Sequence, residues 1–318
     1  MITKKYFNSL FENSQKIVLG ISGGLDSMVL LHMINDLKTN DGKEWLVVYV
    51  DHQLNLQSHS WGEFVQSKCN QMNIPCKVVQ VTCEGKNLEF AARSARYKAL
   101  CSLDADTVVL AHHMNDRIET FMMKLMRGAG IKGLKSMTDV TDCWFDRKVK
   151  LVRPLLNITR DQLQSYAMIN HVQHIEDDSN QNNRYDRNWI RNVAWPLIQS
   201  RYHIADVNAN RSINLLNEAW ELTQDLARID FDTVSLGNQV LDWTKLKNLS
   251  HLRLKNLILY IIDQHGVENF STHHVEDFSL NLLRADSDSN TEMSLNGLVL
   301  KKIGHKVRVI NQAQTIEG

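Results

Sequence analysis

The short polar segment after the first predicted strand has the composition of a phosphate-binding loop. An apolar run from Lys16 leads into Ser22-Gly-Gly24, and Asp26 and Ser27 then open an apolar-periodic segment typical of a helix. Glycines without Cβ let backbone N–H groups approach an anion, and a helix N-terminus adds unpaired donors. The segment matches neither Gly-x-x-x-x-Gly-Lys-Ser/Thr nor Gly-x-Gly-x-x-Gly. It therefore predicts nucleotide binding of another type, with a plain turn as the alternative.

A second group of reactive side chains follows the fourth predicted strand. His112 and His113 end that strand, and Asp116 and Glu119 lie on the first turns of the next predicted helix. Spacings of three and four residues bring these side chains to one side of the helix. Two carboxylates and two imidazoles can bind Mg²⁺, hold a substrate ammonium or move protons. The alternative is an acidic first turn that only favours the helix dipole.

Basic residues occur in separate segments of the chain. Arg93 and Arg96 lie one helical turn apart, and further basic segments cover 127–132, 184–191 and 301–308. Together they predict an anion-binding surface, although a pair such as Arg93 and Arg96 can also be an ordinary charged helix face. The chain has 36 basic and 36 acidic residues, so any nucleic acid must be held by local patches.

Composition favours a cytoplasmic location. The N-terminus lacks the apolar core of a signal peptide, and the longest aliphatic stretch, near 257–262, is too short to span a bilayer. We therefore expect no membrane association. The five cysteines are odd in number and include no Cys-x-x-Cys, which favours free thiols over disulfides or a metal site.

The order of predicted elements indicates the fold class. Apolar strands near 16–21, 45–52, 76–81 and 107–111 alternate with helical segments. This alternation predicts an α/β fold with a doubly wound parallel sheet, followed by a smaller, mainly helical second domain with a closing hairpin at 298–310. Ligands of such sheets bind at the carboxyl ends of the strands, where the glycine loop, Asp51 and the two histidines would converge.

Seven motifs then occur in an order that resembles bacterial tRNA(Ile)-lysidine synthetases, which are PP-loop ATP pyrophosphatases. In chain order they are Ser22-Gly-Gly-Leu-Asp-Ser27, Asp51-His52, Ala91-Ala-Arg-Ser-Ala-Arg-Tyr97, Ala111-His-His-Met-Asn-Asp-Arg-Ile-Glu-Thr120, Arg127-Gly-Ala-Gly-Ile-Lys-Gly-Leu134, Arg153-Pro-Leu-Leu156 and Asp178-Ser-Asn through Arg187-Asn-Trp-Ile-Arg191. The set covers roughly 15–200 and is specific, whereas the first motif alone fits any PP-loop enzyme. The remainder resembles that family's substrate-binding domain more weakly, and we expect a short form without a further C-terminal domain.

The resemblance implies a reaction, a domain plan and partners. The family uses ATP with Mg²⁺ to attach L-lysine to the wobble cytidine of the isoleucine tRNA with a CAU anticodon, through an adenylated base, releasing AMP and pyrophosphate. We expect a catalytic PP-loop domain over 1–204, a linker helix over 205–229 and a tRNA-binding domain over 230–318. The oligomeric state stays open, a homodimer included.

The resemblance also implies roles for individual residues. ATP binding is expected of Ser22, Gly23, Gly24, Leu25, Asp26, Ser27 and Asp51. Catalytic roles are expected of Asp26, Arg93, Arg96, His112, His113, Asp116, Glu119, Arg187 and Arg191. Asp26 and Asp116 are the expected ligands of Mg²⁺.

Four positions depart from the family pattern. Gln53 and Asn55 stand where the family usually has Gly and Arg, and Asn115 and Arg117 stand where it usually has Asp and Gln. The missing carboxylate at 115 puts a metal role for that position in doubt. Two other functions remain open: a PP-loop tRNA thiolase, against which the lack of Cys-x-x-Cys counts, and a non-enzymatic adenine-nucleotide-binding protein.

Overall fold

The computed structural model describes residues 2–38, 42–53, 55, 57–82, 88–176, 183–267 and 270–311. It divides the chain into two compact units, 1–216 and 217–318, each with its own core. A single helix, α10 (Ala205–Val234), contains both the boundary and the predicted linker range. The predicted domain limits at 204 and 230 stay a prediction.

The first unit is built on a six-stranded sheet with strand order β3-β2-β1-β4-β6-β5. The strands are β1 Lys16–Gly20, β2 Glu44–Asp51, β3 Cys76–Gln80, β4 Thr107–Leu110, β5 Val140–Asp142 and β6 Lys150–Val152. All neighbours pair in parallel except β5 and β6, which are antiparallel. Chain order reverses between β1 and β4, which confirms the predicted doubly wound α/β architecture.

Helices cover both faces of this sheet. They are α1 Lys4–Leu10, α2 Leu25–Leu37, α3 Ser58–Gln71, α4 Leu88–Cys101, α5 Met114–Met126, α6 Ile131–Leu134, α7 Arg160–Ile169, α8 Asp186–Trp189 and α9 Trp195–Arg201. Ile17 and Leu19 of β1 belong to one apolar cluster, and Val18 between them belongs to another. Successive side chains of a strand point to opposite faces, so β1 is buried on both sides, as is typical of a strand in a parallel sheet.

A π-helical turn, Ile190–Ala194, joins α8 to α9. A proline inside a helical pattern usually predicts a break, whereas the helix here continues through Pro196. Proline has no N–H to donate to the carbonyl four residues earlier, and the chain widens there so that Trp195 N bonds to Ile190 O. The turn carries Arg191, which belongs to the candidate site.

The second unit combines helices with an antiparallel sheet. Beyond α10 it contains β7 Val240–Asp242, α11 Trp243–Lys247, α12 His251–Gln264, α13 Thr272–Arg284, β8 Thr291–Leu295, β9 Leu298–Ile303 and β10 Lys306–Asn311. The predicted helices and closing hairpin are present as α12, α13 and β9–β10. The hairpin is part of a four-stranded sheet, β7-β10-β9-β8, because two short strands that the sequence did not reveal pair with its edges.

Candidate active site

The glycine loop between β1 and α2 is fixed by backbone geometry. Gly23 has φ +87°, a left-handed conformation that L side chains rarely adopt. Its carbonyl accepts a 2.9 Å hydrogen bond from Ile175 N, and a Cβ at this position would lie 2.7 Å from Ile175 Cδ1. Glycine is therefore required here both for the turn and for the close approach of the segment before residue 176.

The two serines of the loop hold its shape. Ser27 Oγ donates to Gly24 O at 2.9 Å and accepts from Ser22 N at 3.2 Å, and the two hydroxyls lie 3.2 Å apart. Gly24 is the N-cap of α2, and among the described residues no side chain caps that helix. The first N–H groups of α2, from Leu25 onward, are thus available to an anion. Leu25 itself packs its side chain against the apolar core.

Two buried carboxylates and two partly exposed arginines form a cluster beside this loop. Asp116 Oδ1 accepts from Arg187 Nη2 at 2.8 Å and from Arg191 Nη2 at 2.9 Å. Glu119 Oε2 accepts from Arg187 Nε at 2.8 Å, and its Oε1 accepts from Arg191 Nε at 2.6 Å. Two carboxylates on α5 thus meet two guanidiniums from the helix that begins at α8, and their formal charges cancel.

The position of each charge follows from helical spacing. Asp116 and Glu119 are three residues apart on α5, and Arg187 and Arg191 are four apart, so each pair presents one face. Asp116 also closes a capping box, because its Oδ2 accepts from His113 N at 3.0 Å. Burial alone would raise the pKa of Asp116, but the cations of His113 and Arg187 outweigh it and hold that pKa well below its usual range.

The two adjacent histidines have opposite protonation behaviour. His113 is fully buried, with Nε2 at 3.5 Å from Asp26 Oδ2 and 3.4 Å from Asp116 Oδ2. Burial lowers the pKa of His113, but these two carboxylates raise it above its ordinary value. Burial lowers the pKa of His112 well below its ordinary value, and Arg153 lowers it further against the opposing effect of Asp116. His113 therefore favours the cation, and His112 favours the neutral imidazole.

Arg93 and Arg96 of α4 lie against the buried ring of Tyr97. Their guanidinium carbons are 5.3 and 5.9 Å from the ring centroid, and Arg93 Nη2 donates to Tyr97 Oη at 3.3 Å. Burial lowers the pKa of Arg96, Tyr97 raises it, and the charges of Arg93 and Arg187 lower it further. Arg96 is thus close enough to Arg187 and Asp116 for their charges to shift its pKa.

Arg153 is a further buried cation, and it begins the motif Arg153-Pro-Leu-Leu156, from which no role for it was predicted. Its Nη1 donates to Thr138 O at 3.1 Å and to Thr141 Oγ1 at 3.0 Å, and burial lowers its pKa. The sequence signal is its place directly after β6, at the same sheet edge as His112. Arg153 adds to the positive potential around that histidine.

Asp51 lies at the carboxyl end of β2, as predicted, and its contacts are local. Its side chain is buried, and Oδ1 accepts from Gln53 N at 2.8 Å. Gln53 has φ +56°, so a glycine at this position would relieve backbone strain. Asn55 Oδ1 accepts from Gln57 N at 2.9 Å in the turn before α3.

Asn115 and Arg117, the other two residues that differ from the family pattern, bind partners outside the carboxylate cluster. Asn115 Nδ2 donates to Asp206 Oδ1 at 3.2 Å, and its Oδ1 accepts from Arg160 N at 2.9 Å. Arg117 Nη1 donates to Asn210 Oδ1 at 2.7 Å. Both side chains therefore bind neighbouring helices. The motif residues at 178–180 lie outside the described part of the chain.

Family models and curated relatives both match this chain. A family model described as a PP-loop domain matches residues 2–198, and one described as a TilS substrate binding domain matches residues 241–308. Curated tRNA(Ile)-lysidine synthases are similar along nearly the whole chain. The protein of Nitrosomonas europaea is 31% identical over 306 residues, which are 94% of this chain and 67% of that protein. The protein of Coxiella burnetii is 32% identical over 312 residues, 96% of this chain and 68% of that protein. The chain belongs to the tRNA(Ile)-lysidine synthase family.

A solved structure supports the fold. The U34-tRNA thiolase NcsA from Methanococcus maripaludis, with its [4Fe-4S] cluster, matches with a TM-score of 0.54 and 19% identity, covering 68% of this chain and 78% of that one. Four cysteines of the described chain, Cys69, Cys76, Cys101 and Cys143, carry free thiols. In that same part of the chain no three His, Cys, Asp or Glu side chains are grouped to hold a metal, and no helix has the length and apolarity of a membrane span.

Proposed function

We propose that this protein uses ATP to ligate L-lysine to the wobble cytidine of the isoleucine tRNA with a CAU anticodon. AMP and pyrophosphate leave, and lysidine is formed by a new carbon–nitrogen bond. The observation that carries the proposal is the buried Asp116–Glu119–Arg187–Arg191 cluster, connected through His113 to Asp26 of the PP-loop. Membership of the lysidine synthase family supports the same reaction.

In the first half-reaction, the loop would hold the phosphates of ATP. The N–H groups at the start of α2 would donate to phosphate oxygens, since no described side chain occupies them. Arg93 and Arg96 would neutralise charge that develops at the α-phosphate when the cytosine carbonyl oxygen attacks it and pyrophosphate departs.

Asp26 fits a magnesium ligand better than Asp116 does. Asp26 Oδ1 is buried and has no hydrogen-bond partner within the described residues. Both oxygens of Asp116 already accept hydrogen bonds, from two arginines and from His113 N. Bound Mg²⁺ would supply positive charge to the phosphates, and Asp26 at the helix entrance is placed to hold it.

In the second half-reaction, Glu119 and Asp116 would receive lysine's ε-ammonium. An ionised carboxylate offers about four lone-pair sites, and Glu119 Oε1 accepts one hydrogen bond here, from Arg191 Nε. The ammonium can therefore share Glu119 with the arginines. His113 lies between Asp26 and Asp116 and would hold the PP-loop and the carboxylate cluster in a fixed relative position.

The second unit would bind the tRNA. Residues 241–308 match the family model of the TilS substrate binding domain, and β10 alternates buried valines with exposed Lys306 and Arg308. Alternate residues of a strand share a face, so these two cations can meet successive phosphates. The protein would act in the cytoplasm, where tRNA, ATP and lysine meet.

A thiolase reaction is not supported. It requires reactive cysteines near the nucleotide, and the cysteines of the described chain lie in or against apolar segments of the fold. A purely nucleotide-binding protein would leave the buried arginine–carboxylate cluster without a use.

Incorporation of radiolabelled lysine into total tRNA, with and without ATP, tests the proposal. Lysine labelling that requires ATP, with AMP and pyrophosphate as the other products, is the expected result. Production of ADP and phosphate, or no lysine in the tRNA, would reject it. A thiolase would instead place sulfur in the tRNA.

A further inference from the structure

Two adjacent aromatic side chains project from the turn that joins β5 to β6. Trp144 is 56% exposed and Phe145 is 43% exposed, although aromatic rings of this size usually bury most of their surface. Their ring centroids are 5.5 Å apart at an interplanar angle of 38°. The pair presents a contiguous aromatic surface to solvent, and the catalytic proposal above does not use it.

This aromatic surface is connected to the candidate active site. The Trp144 ring lies 4.3 Å from the ring of Tyr97, centroid to centroid. Tyr97 is buried, and its ring lies against the guanidiniums of Arg93 and Arg96. A series of side-chain contacts thus runs from Phe145 through Trp144 and Tyr97 to Arg93 and Arg96, two of the arginines with a proposed role at the α-phosphate.

The same turn and its flanking strand residues, 142–150, carry three cations against two carboxylates. Arg147 and Lys148 are exposed directly after the aromatic pair. Of the acidic residues nearby, Asp142 forms an ion pair with Lys150 at 2.5 Å, and Asp146 Oδ1 accepts from Lys148 N at 3.0 Å. The turn therefore combines flat aromatic faces with cations, which is the pattern that binds single-stranded nucleic acid.

We propose that Trp144 and Phe145 stack on bases of the anticodon loop that neighbour the target cytidine. This inference rests on the function proposed above. To reach the ATP site, the target base must leave the stack, which deprives its neighbours of a stacking partner. An aromatic surface that contacts Tyr97, against which Arg93 and Arg96 pack, can replace that partner, and the exposed cations can bind the adjoining phosphates. Stacking tolerates any base, so the surface would contribute affinity without reading sequence.

Binding of the full-length protein to a CAU anticodon stem-loop RNA tests this inference. Phe145→Ala and Trp144→Ala should each weaken the affinity by about 5- to 150-fold, the range for one lost base–aromatic stack. The slope of log affinity against log salt should not change, because no phosphate contact is lost. Arg147→Ala should instead reduce that slope by about 0.7 to 0.9. Trp144→Phe, which keeps a ring, should recover most of the affinity.

Three controls separate stacking from damage to the fold. Ile169→Ala removes a similarly exposed apolar side chain, at the end of α7, and should leave RNA affinity unchanged. In Phe145→Ala, ATP affinity and the melting temperature should match the wild type, because Trp144 still packs on Tyr97. This variant therefore tests the inference even if Trp144→Ala does not fold. RNA affinity within twofold of wild type for Phe145→Ala would overturn the inference. If the wild type binds the stem-loop through these aromatic residues but transfers no lysine to tRNA, the proposed reaction is refuted and the stacking inference is not.

Discussion

Replacing Glu119 by Gln tests the proposed role of the carboxylate cluster most directly. Free lysine has a side-chain pKa near 10.4, so at pH 7 only about one molecule in a few thousand carries the neutral nucleophile, a deficit of about 4–5 kcal/mol. A carboxylate that holds the ammonium and accepts its proton during attack contributes about 10²- to 10⁴-fold to the rate. We therefore expect Glu119→Gln to slow lysine transfer by that factor.

The same substitution has a structural effect that must be measured separately. Glu119 is 2% exposed and accepts hydrogen bonds from Arg187 and Arg191, whose side chains are 20% exposed. A glutamine amide nitrogen cannot accept from a guanidinium, so at least one charge-assisted bond is lost, worth about 1.5–3 kcal/mol before solvent screening at the arginines. The variant should melt at a lower temperature but remain folded.

Single-turnover measurements with labelled ATP and labelled lysine separate the two half-reactions. Glu119→Gln should bind ATP and adenylate the tRNA at a rate close to wild type, and adenylated tRNA should accumulate because lysine transfer is slow. Glu218→Gln, an exposed carboxylate change on α10, should behave as wild type in both steps. Normal lysine transfer, or a failure that begins at ATP binding, would refute the assignment to Glu119.

Four further predictions follow from the loop, the histidine and the second unit. Asp26→Ala should abolish AMP formation and leave the melting temperature near wild type, since Asp26 lies at the helix entrance; turnover at the wild-type rate would contradict its role. Gly23→Ala should destabilise the protein by about 1–2 kcal/mol in urea unfolding, because the backbone φ of Gly23 is +87°. Gly24→Ala is the control: Gly24 has a negative φ and no atom lies closer than 3.7 Å to the added carbon, so its unfolding free energy should hardly change. The pKa of His113 is raised, so its contribution to folding stability is fully present below about pH 6.5 and is lost as pH rises through the pKa of the folded state. The difference in unfolding free energy between wild type and His113→Asn should therefore shrink as pH rises. A difference that does not change with pH would rule out this role of His113. If about five phosphates of the tRNA are neutralised, log affinity of the full chain should fall against log salt with a slope of about −3.5 to −4.5, and a slope near zero would reject binding through local basic sites.

The sequence by itself determined the features that depend on local pattern. The apolar run, the two glycines and the polar helix start identify the PP-loop between β1 and α2, because each residue acts through the backbone of its own neighbourhood. Strand–helix alternation determined the parallel sheet, since a parallel pair requires a crossover connection. The helical spacing of Asp116 and Glu119 likewise placed them on one face of α5 before any contact was known.

Only the tertiary structure decided which of these residues act together. Arg187 and Arg191 follow Glu119 by dozens of residues, and their hydrogen bonds to it depend on packing of α8 and the π-helical turn against α5. Sequence gave no means to see that Asn115 and Arg117 bind other helices on the remaining faces of α5.

The protonation of the paired histidines was likewise undetermined by sequence. His112 and His113 are neighbours of identical chemistry, and burial lowers the pKa of both. Asp116 and Asp26 outweigh burial at His113, whereas Arg153, Arg93 and Arg96 add to the effect of burial at His112. A pKa depends on burial and on charges within a few ångströms, and residues distant in the chain supply most of those charges. Local pattern thus identified the reactive groups, and long-range packing determined their partners and their charge.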